Sequence, residues 1–429
     1  MPITRRQFCK QTAGIVSIGV VMPSLWLEKE ARAQIPEALP GRKLIVLQLM
    51  GGNDGLNTVV PFTDSRYHTL RPALGFSDSE LSQTLVDANF AFHPSMTALK
   101  ALYDNGKVAP VLGVGYPSPN LSHFTSMDIW HSADPTLHKH EGWLGAYADL
   151  ALIGKTGVPA IAIDPENPFS FRSDKVVIPD ISPSANAFAQ YTFQTDARYP
   201  GDSTNQRNIW NTIYSRTLDT NTFLGQVADT GLNAVAGADK IRTSVATYSS
   251  VVSYANNTLG VGLKMVAQLI TTIPEIELMY VTLGGFDHHS TEIGNNADPG
   301  NRLVGQHATL LAEFSDGINT FYQDLVNHGL ADQVVILQWS EFGRRPQENA
   351  SRGTDHGTAS PLFVIGNPVR GGHLYGQQPS LAATSLDGGG NPRMQVDFRA
   401  VYATILDKWL GADSRAILGA QYEDVGFFG

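Results

Sequence analysis

A chain of 429 residues that is 42% hydrophobic and 16% charged has enough apolar content for a large core, which excludes wholesale disorder. Its formal net charge of -10 comes with no long basic run, zinc-finger spacing or aromatic–basic ladder, so nucleic acid is excluded as an expected partner. The single cysteine, Cys9, falls in a segment expected to be removed, which excludes a disulfide, a thiol nucleophile and thiolate metal ligands in the mature chain.

Residues 1–33 look like a targeting segment. Thr4-Arg5-Arg6-Gln7-Phe8-Cys9-Lys10 resembles a twin-arginine export signal, and Ala31-Arg32-Ala33 offers a small-x-small cleavage site. The apolar stretch between them, Ala13 to Leu27, is interrupted by Pro23 and is shorter than the ~20 residues of a membrane span. The expectation is a protein exported to the periplasm or beyond, with the twin-arginine machinery as a partner and no stable membrane span in the mature form. An uncleaved N-terminal anchor is the alternative.

Residues 34–429 are expected to form a single α/β domain. Lys43 to Met50 is a short apolar run of the length and β-branched content of a buried strand, and Gly51-Gly52-Asn53-Asp54-Gly55 follows as a sharp turn. Residues 63–90 read as surface loop with short helical pieces. Pro94 to Asn105 carries apolar residues at helical spacing, and Val108 to Val114 is a second buried strand, closed by Gly115-Tyr116-Pro117-Ser118-Pro119-Asn120. A helix then opens at Ser122-His123-Phe124. His131, His138 and His140 are expected in a solvated loop, and Gly142-Trp143-Leu144-Gly145 starts a further helix. After a short strand over Val158–Ile163, residues 165–205 are an excursion rich in Pro, Ser and Asp. The stretch from Asn208 to Ile273 is mostly helical, with breaks near Gly231 and Asn256. Strands over Ile276–Leu283, Val334–Trp339 and Pro361–Ile365 complete the pattern, with helices over Leu303–Leu330 and Val401–Leu410. This alternation predicts one mainly parallel sheet with helices on both faces.

Ligands of such a sheet bind beyond the carboxyl ends of its strands. Four segments put carboxylates or imidazoles there: Asp54, Asp287 with His289, Glu341, and Asp355 with His356, the last in a polar loop. Oxygen and imidazole donors gathered at one edge suit one or two divalent metals, and two metals would clamp the oxygens of an in-line displacement. Each segment alone is weak, because loop carboxylates are usually solvated or cap helices. Ser122 is the candidate nucleophile, at a helix start where free N–H groups favour an anion; its bland role is an N-cap. Thr58 and Thr125 are less favoured. Arg344, with Arg345 beside it, is the candidate anion-binding group.

The twin-arginine leader, Met50-Gly51-Gly52-Asn53-Asp54-Gly55-Leu56-Asn57-Thr58, Ser122-His123-Phe124, Gly142-Trp143-Leu144-Gly145, Gly284-Gly285-Phe286-Asp287-His288-His289, Glu341-Phe342-Gly343-Arg344 and Asp355-His356 together resemble the domain-of-unknown-function 1501 family. That family is remotely similar to the alkaline phosphatase and sulfatase superfamily. The resemblance implies an alkaline-phosphatase-like α/β fold and a hydrolase of phosphate or sulfate esters using one or two divalent metals (zinc, calcium, manganese or magnesium). It maps metal ligands onto Asp54, Asp287, His289 and His356, and the hydroxyl nucleophile onto Ser122. Superfamily members usually carry Asp-His after the next strand, where this chain has Glu341-Phe342. That departure motivates a second expectation, a non-catalytic periplasmic binding or accessory protein on the same fold.

Overall fold

In the computed structural model, which describes residues 41–155, 157–184, 187–190, 202–215, 223–290, 292–294 and 302–429, the opening apolar run forms β1 (Lys43–Leu49), with all 7 residues buried. Its side chains alternate between two cores. Ile45, Leu47 and Leu49 enter one, Leu44 and Val46 the other. A strand covered on both faces needs apolar residues at every position, which is why the run shows no polar alternation.

The same division recurs along the chain. β2 (Val108–Gly115), β3 (Ala160–Ile163), β4 (Leu278–Leu283) and β5 (Val334–Trp339) join β1 in one sheet. A hairpin of β6 (Arg344–Glu348) and β7 (Thr354–His356) comes next, then β8 (Ser360–Ile365) and the short edge strands β9 (Tyr375–Gly376) and β10 (Val396–Asp397). The sheet order is β9-β2-β8-β5-β1-β4-β3, with β10 also on β2. β1 pairs in parallel with β4 and β5, and β3 with β4. β8 alone lies antiparallel to its neighbours β2 and β5. The sheet is therefore mainly parallel, as the sequence pattern implied.

Helices cover both faces. α1 (Thr97–Asp104), α4 (Thr258–Thr272) and α5 (Gln306–Asn327) bring Leu99, Leu263, Phe314 and Phe321 to one core. α2 (His123–Ser132), α3 (Trp143–Ala151) and α6 (Phe398–Thr404) bring Trp130, Trp143 and Tyr402 to the other. Among the described residues no helix is long and apolar enough to cross a membrane.

Several sequence expectations need correction. The expected break at Gly231 lies inside a helix over Phe223–Val245. The break near Asn256 holds, because the Asn257 side chain accepts from the Gly260 amide and caps α4. His131 is not in a solvated loop: it closes α2, is buried, and shares a 2.5 Å hydrogen bond between Nδ1 and Ser170 Oγ. Thr354–His356 is a hairpin strand rather than loop. Residues 165–184 of the excursion are pinned down, with Phe171 and Ile178 in the core and Asp149 accepting from the amides of Asp174, Lys175 and Val176. The export-signal expectation for residues 1–33 and part of the 165–205 excursion lie outside the described residues.

Candidate metal centre

Three loops converge beyond the carboxyl ends of β1, β4 and β5, and two glycines let them meet. Gly51 has φ +122° and Gly52 φ +75°, values that favour glycine. A Cβ on Gly51 would lie 2.5 Å from the Asp287 amide nitrogen, and one on Gly52 would lie 2.4 Å from the Phe342 ring. The Gly-Gly turn after β1 thus lets the loop carrying Asp287 and the loop carrying Phe342 close over it. β8 enters the sheet from this same edge because it runs antiparallel, so the residues before it, including His356, are delivered here.

The result is a group of His123, Asp287 and His356, whose ligand atoms all lie within 4.8 Å of one another. His123 Nε2 is 3.4 Å from Asp287 Oδ2. His356 Nε2 is 3.3 Å from Asp287 Oδ1, and His289 Nε2 is 3.1 Å from the same oxygen and 2.9 Å from His356 Nε2. Each imidazole has an acceptor at its other nitrogen. His123 Nδ1 is 2.8 Å from Glu341 Oε1, His356 Nδ1 is 2.7 Å from the Leu121 carbonyl, and His289 Nδ1 is 3.5 Å from Asp355 Oδ1. Acceptors there fix the N–H on Nδ1 and leave the Nε2 lone pairs facing Asp287 and one another.

That arrangement fits a divalent cation. Among the described residues His123 Nε2 is buried with no hydrogen-bond partner. Two imidazole lone pairs at 2.9 Å, as on His289 and His356, repel unless a proton or a cation lies between them. The carboxylate and backbone acceptors behind the rings have the form of the outer partners that orient metal-ligating histidines.

Electrostatics keep Asp287 charged. Burial pushes its carboxyl up, but the hydrogen bond and charge of Arg344 outweigh that and hold it down at about 2. The hydrogen bond to Glu341, against burial, raises His123. Burial lowers His356, which favours the neutral, ligating form of that ring.

The structure redistributes the other predicted residues. Asp54 lies outside the group: it is buried, with both carboxylate oxygens on the Arg71 guanidinium. Burial raises the Asp54 carboxyl, but Arg71 more than offsets this and keeps it ionised. Glu292, His93, His288 and His307 surround that ion pair. Glu341 is fully buried and accepts from the Gly51 amide and His123, so it braces a ligand-bearing ring from behind. Asp355 stands behind His289 in the same way.

Arg344 is buried and bonds the carbonyls of Gly51, Gly52, Phe286 and Thr354 together with Asp287. Its guanidinium ties the loops together and has little left for an anion. Ser122 is exposed at the N-cap of α2, and its side chain makes no capping bond. It lies between Leu121, which holds His356, and His123.

His123 was missed by sequence reasoning as a ligand candidate. Its signal was its place in the first turn of a helix that follows a strand end, where side chains face the ligand edge.

Solved structures similar to this chain include a protein in the alkaline phosphatase superfamily from Vibrio parahaemolyticus, at 8% identity, covering 91% of this chain and 71% of that one, with a TM-score of 0.38. The PsFucS1 sulfatase from Pseudoalteromonas sp. is 10% identical, covers 91% of this chain and 72% of that one, and has a TM-score of 0.38. The phosphonate monoester hydrolase SpPMH from Silicibacter pomeroyi is 9% identical, with 89% and 78% coverage and a TM-score of 0.32. No curated protein matches the chain. The family described as "Protein of unknown function (DUF1501)" matches residues 41–422, and the chain belongs to it.

Proposed function

We propose that this protein is an exported, metal-dependent hydrolase of phosphate or sulfate esters. The observation that carries the reading is the convergence of the His123, His356 and His289 Nε2 atoms on the Asp287 carboxylate, with His123 Nε2 buried and making no hydrogen bond among the described residues. His123, Asp287 and His356 would hold the metal, and His289 is placed to join them. An imidazole-rich donor set favours a first-row transition metal such as zinc over calcium or magnesium, which prefer all-oxygen sites. When bound, the metal supplies Lewis-acid polarisation of an ester oxygen and charge stabilisation.

The chain's own residues supply the rest. The Ser122 hydroxyl, free of a capping bond, forms a new bond to phosphorus or sulfur as the bond to the ester leaving oxygen breaks. The hydroxyl proton passes to solvent, and the leaving oxygen takes a proton from solvent. Water then cleaves the seryl ester and regenerates Ser122. Glu341, Asp355 and the Leu121 carbonyl hold the rings in one tautomer throughout. Export in a folded, metal-loaded state rests on the twin-arginine resemblance of residues 1–33.

Titration of the purified chain with zinc, manganese, calcium and magnesium, followed by assay on 4-nitrophenyl phosphate and sulfate, tests this reading. Metal binding that disappears in Asp287→Ala and His356→Ala, with turnover that disappears in Ser122→Ala, is the expected result. Absence of metal binding in the parent overturns it. The engagement of Arg344 with the protein's own carbonyls favours a second reading, a metal-holding binding or accessory protein without ester turnover. Metal binding that depends on Asp287, with no hydrolysis of either ester, selects it.

A further inference from the structure

A cavity of about 210 Å³ opens beside the candidate centre. It lies where the turn after β2 meets the loops ahead of β8 and β10, and Glu341 and Phe342 are among its lining residues. The Phe342 ring also packs on His123, with centroids 4.8 Å apart, and on His356 at 4.7 Å. The cavity and the His/Asp group therefore share one aromatic side chain as a wall.

We propose that this cavity is the subsite for the alcohol part of the ester, and that it selects an uncharged aromatic ring. The inference rests on the hydrolase reading and adds the class of leaving group. Size supports it, because an apolar cavity of about 150 Å³ already holds benzene. The lining supports it too: Pro117, Pro119, Phe342 and Met394 are apolar. Tyr116 adds its ring rather than its hydroxyl, which is engaged by the Asn120 amide at 3.0 Å and Ser126 Oγ at 2.8 Å.

Trp130 completes the wall. Its indole is stacked on Trp339 at 5.0 Å and 4°, and on Phe398 at 4.4 Å and 24°, so it meets the cavity with an edge. The Asp387 carboxylate on the cavity wall is taken up by the Gly389 and Asn391 amides at 2.8 Å each, and Arg393 is exposed.

The test uses 4-nitrophenol as a binding probe, by calorimetric titration of the full chain at mildly acidic pH, where the phenol is uncharged, beside kinetics on 4-nitrophenyl phosphate and methyl phosphate. The expected result is 1:1 binding of 4-nitrophenol, weakened at least tenfold in the cavity-filling variants Ala359→Phe and Met394→Trp. Asp287→Ala leaves this binding unchanged, because the subsite does not need the metal-holding residues. In turnover, Ala359→Phe lowers kcat/KM at least tenfold for the aryl ester and leaves methyl phosphate unaffected. No 4-nitrophenol binding, or binding indifferent to both cavity-filling variants, overturns the subsite. If 4-nitrophenol binds as expected while neither ester is turned over, the hydrolase reading fails and the aryl-binding cavity stands.

Discussion

Single residues in this protein are set by what stands behind them. Glu341 is the sharpest case. It offers its carboxylate to the Gly51 amide and to His123 Nδ1, and is too deeply buried to face solvent. Its effect on a metal passes through the His123 ring, by raising that ring's basicity and fixing its tautomer. Glu341→Gln keeps an acceptor in place but removes the charge, so metal affinity is expected to fall about 10–100-fold with little change in stability. Competition titration with a chromophoric chelator reads this, and an unchanged affinity would show that Glu341 only supports the Gly51 turn.

Glu292 makes a different prediction. Burial, reinforced by the charge of Asp54, pushes its carboxyl well above the ordinary 4.5, which favours the protonated form in the folded state. The folded pKa is raised, so the stabilisation is complete below the unfolded pKa and is lost as pH climbs toward the folded value. Glu292→Gln has no such loss. Its stability relative to the parent is expected to rise with pH above 4.5, by at most about 1.4 kcal/mol per pH unit. Urea unfolding at pH 5, 7 and 9 measures the difference, and parallel curves for the two proteins would sink the idea.

Elements assemble the site through close backbone approach. At Gly52 any other residue meets both a left-handed backbone and the Phe342 ring. Gly52→Ala is expected to cost about 2–4 kcal/mol, from strain and overpacking together. Because the displaced Phe342 ring packs on both His123 and His356, metal affinity is expected to fall alongside stability. Denaturant unfolding and metal titration of the same variant check both, and loss of stability with unchanged affinity would disconnect the turn from the site. The same geometry explains what was legible in sequence. Strands buried on both faces announce themselves as unbroken apolar runs, so β1, β2, β4 and β5 were readable, and with them the place of Asp287 and His289 just past the end of β4. The direction of β8 was not, because an apolar run carries no sign of orientation, although that direction brings His356 to the shared edge. Nor was the fate of Asp54, because the partner that neutralises it, Arg71, comes from a loop whose packing depends on the hairpin 344–356: Arg71 also bonds the Arg345 and Pro346 carbonyls.

The whole molecule couples the site to folding, because the groups that would hold a metal come from three distant parts of the chain. His123 opens α2, Asp287 follows β4 and His356 precedes β8. Only the folded chain brings them within 4.8 Å, so a metal that binds there binds the native state and not the unfolded one. Linkage then converts affinity into stability: free metal at 100 times its dissociation constant adds about 2.7 kcal/mol. In a chain of this size each kcal/mol moves the midpoint by about 2 °C or less, so the melting temperature is expected to rise by roughly 3–5 °C. Thermal unfolding of the chelator-treated chain, with and without zinc, measures it. Asp287→Asn keeps a side chain of the same shape for Arg344 to meet but removes the central anionic donor, so its midpoint is expected to stay fixed when zinc is added. An equal rise in parent and variant would mean that zinc binds elsewhere, and no rise in the parent with zinc or manganese would mean that the three segments meet without making a metal site.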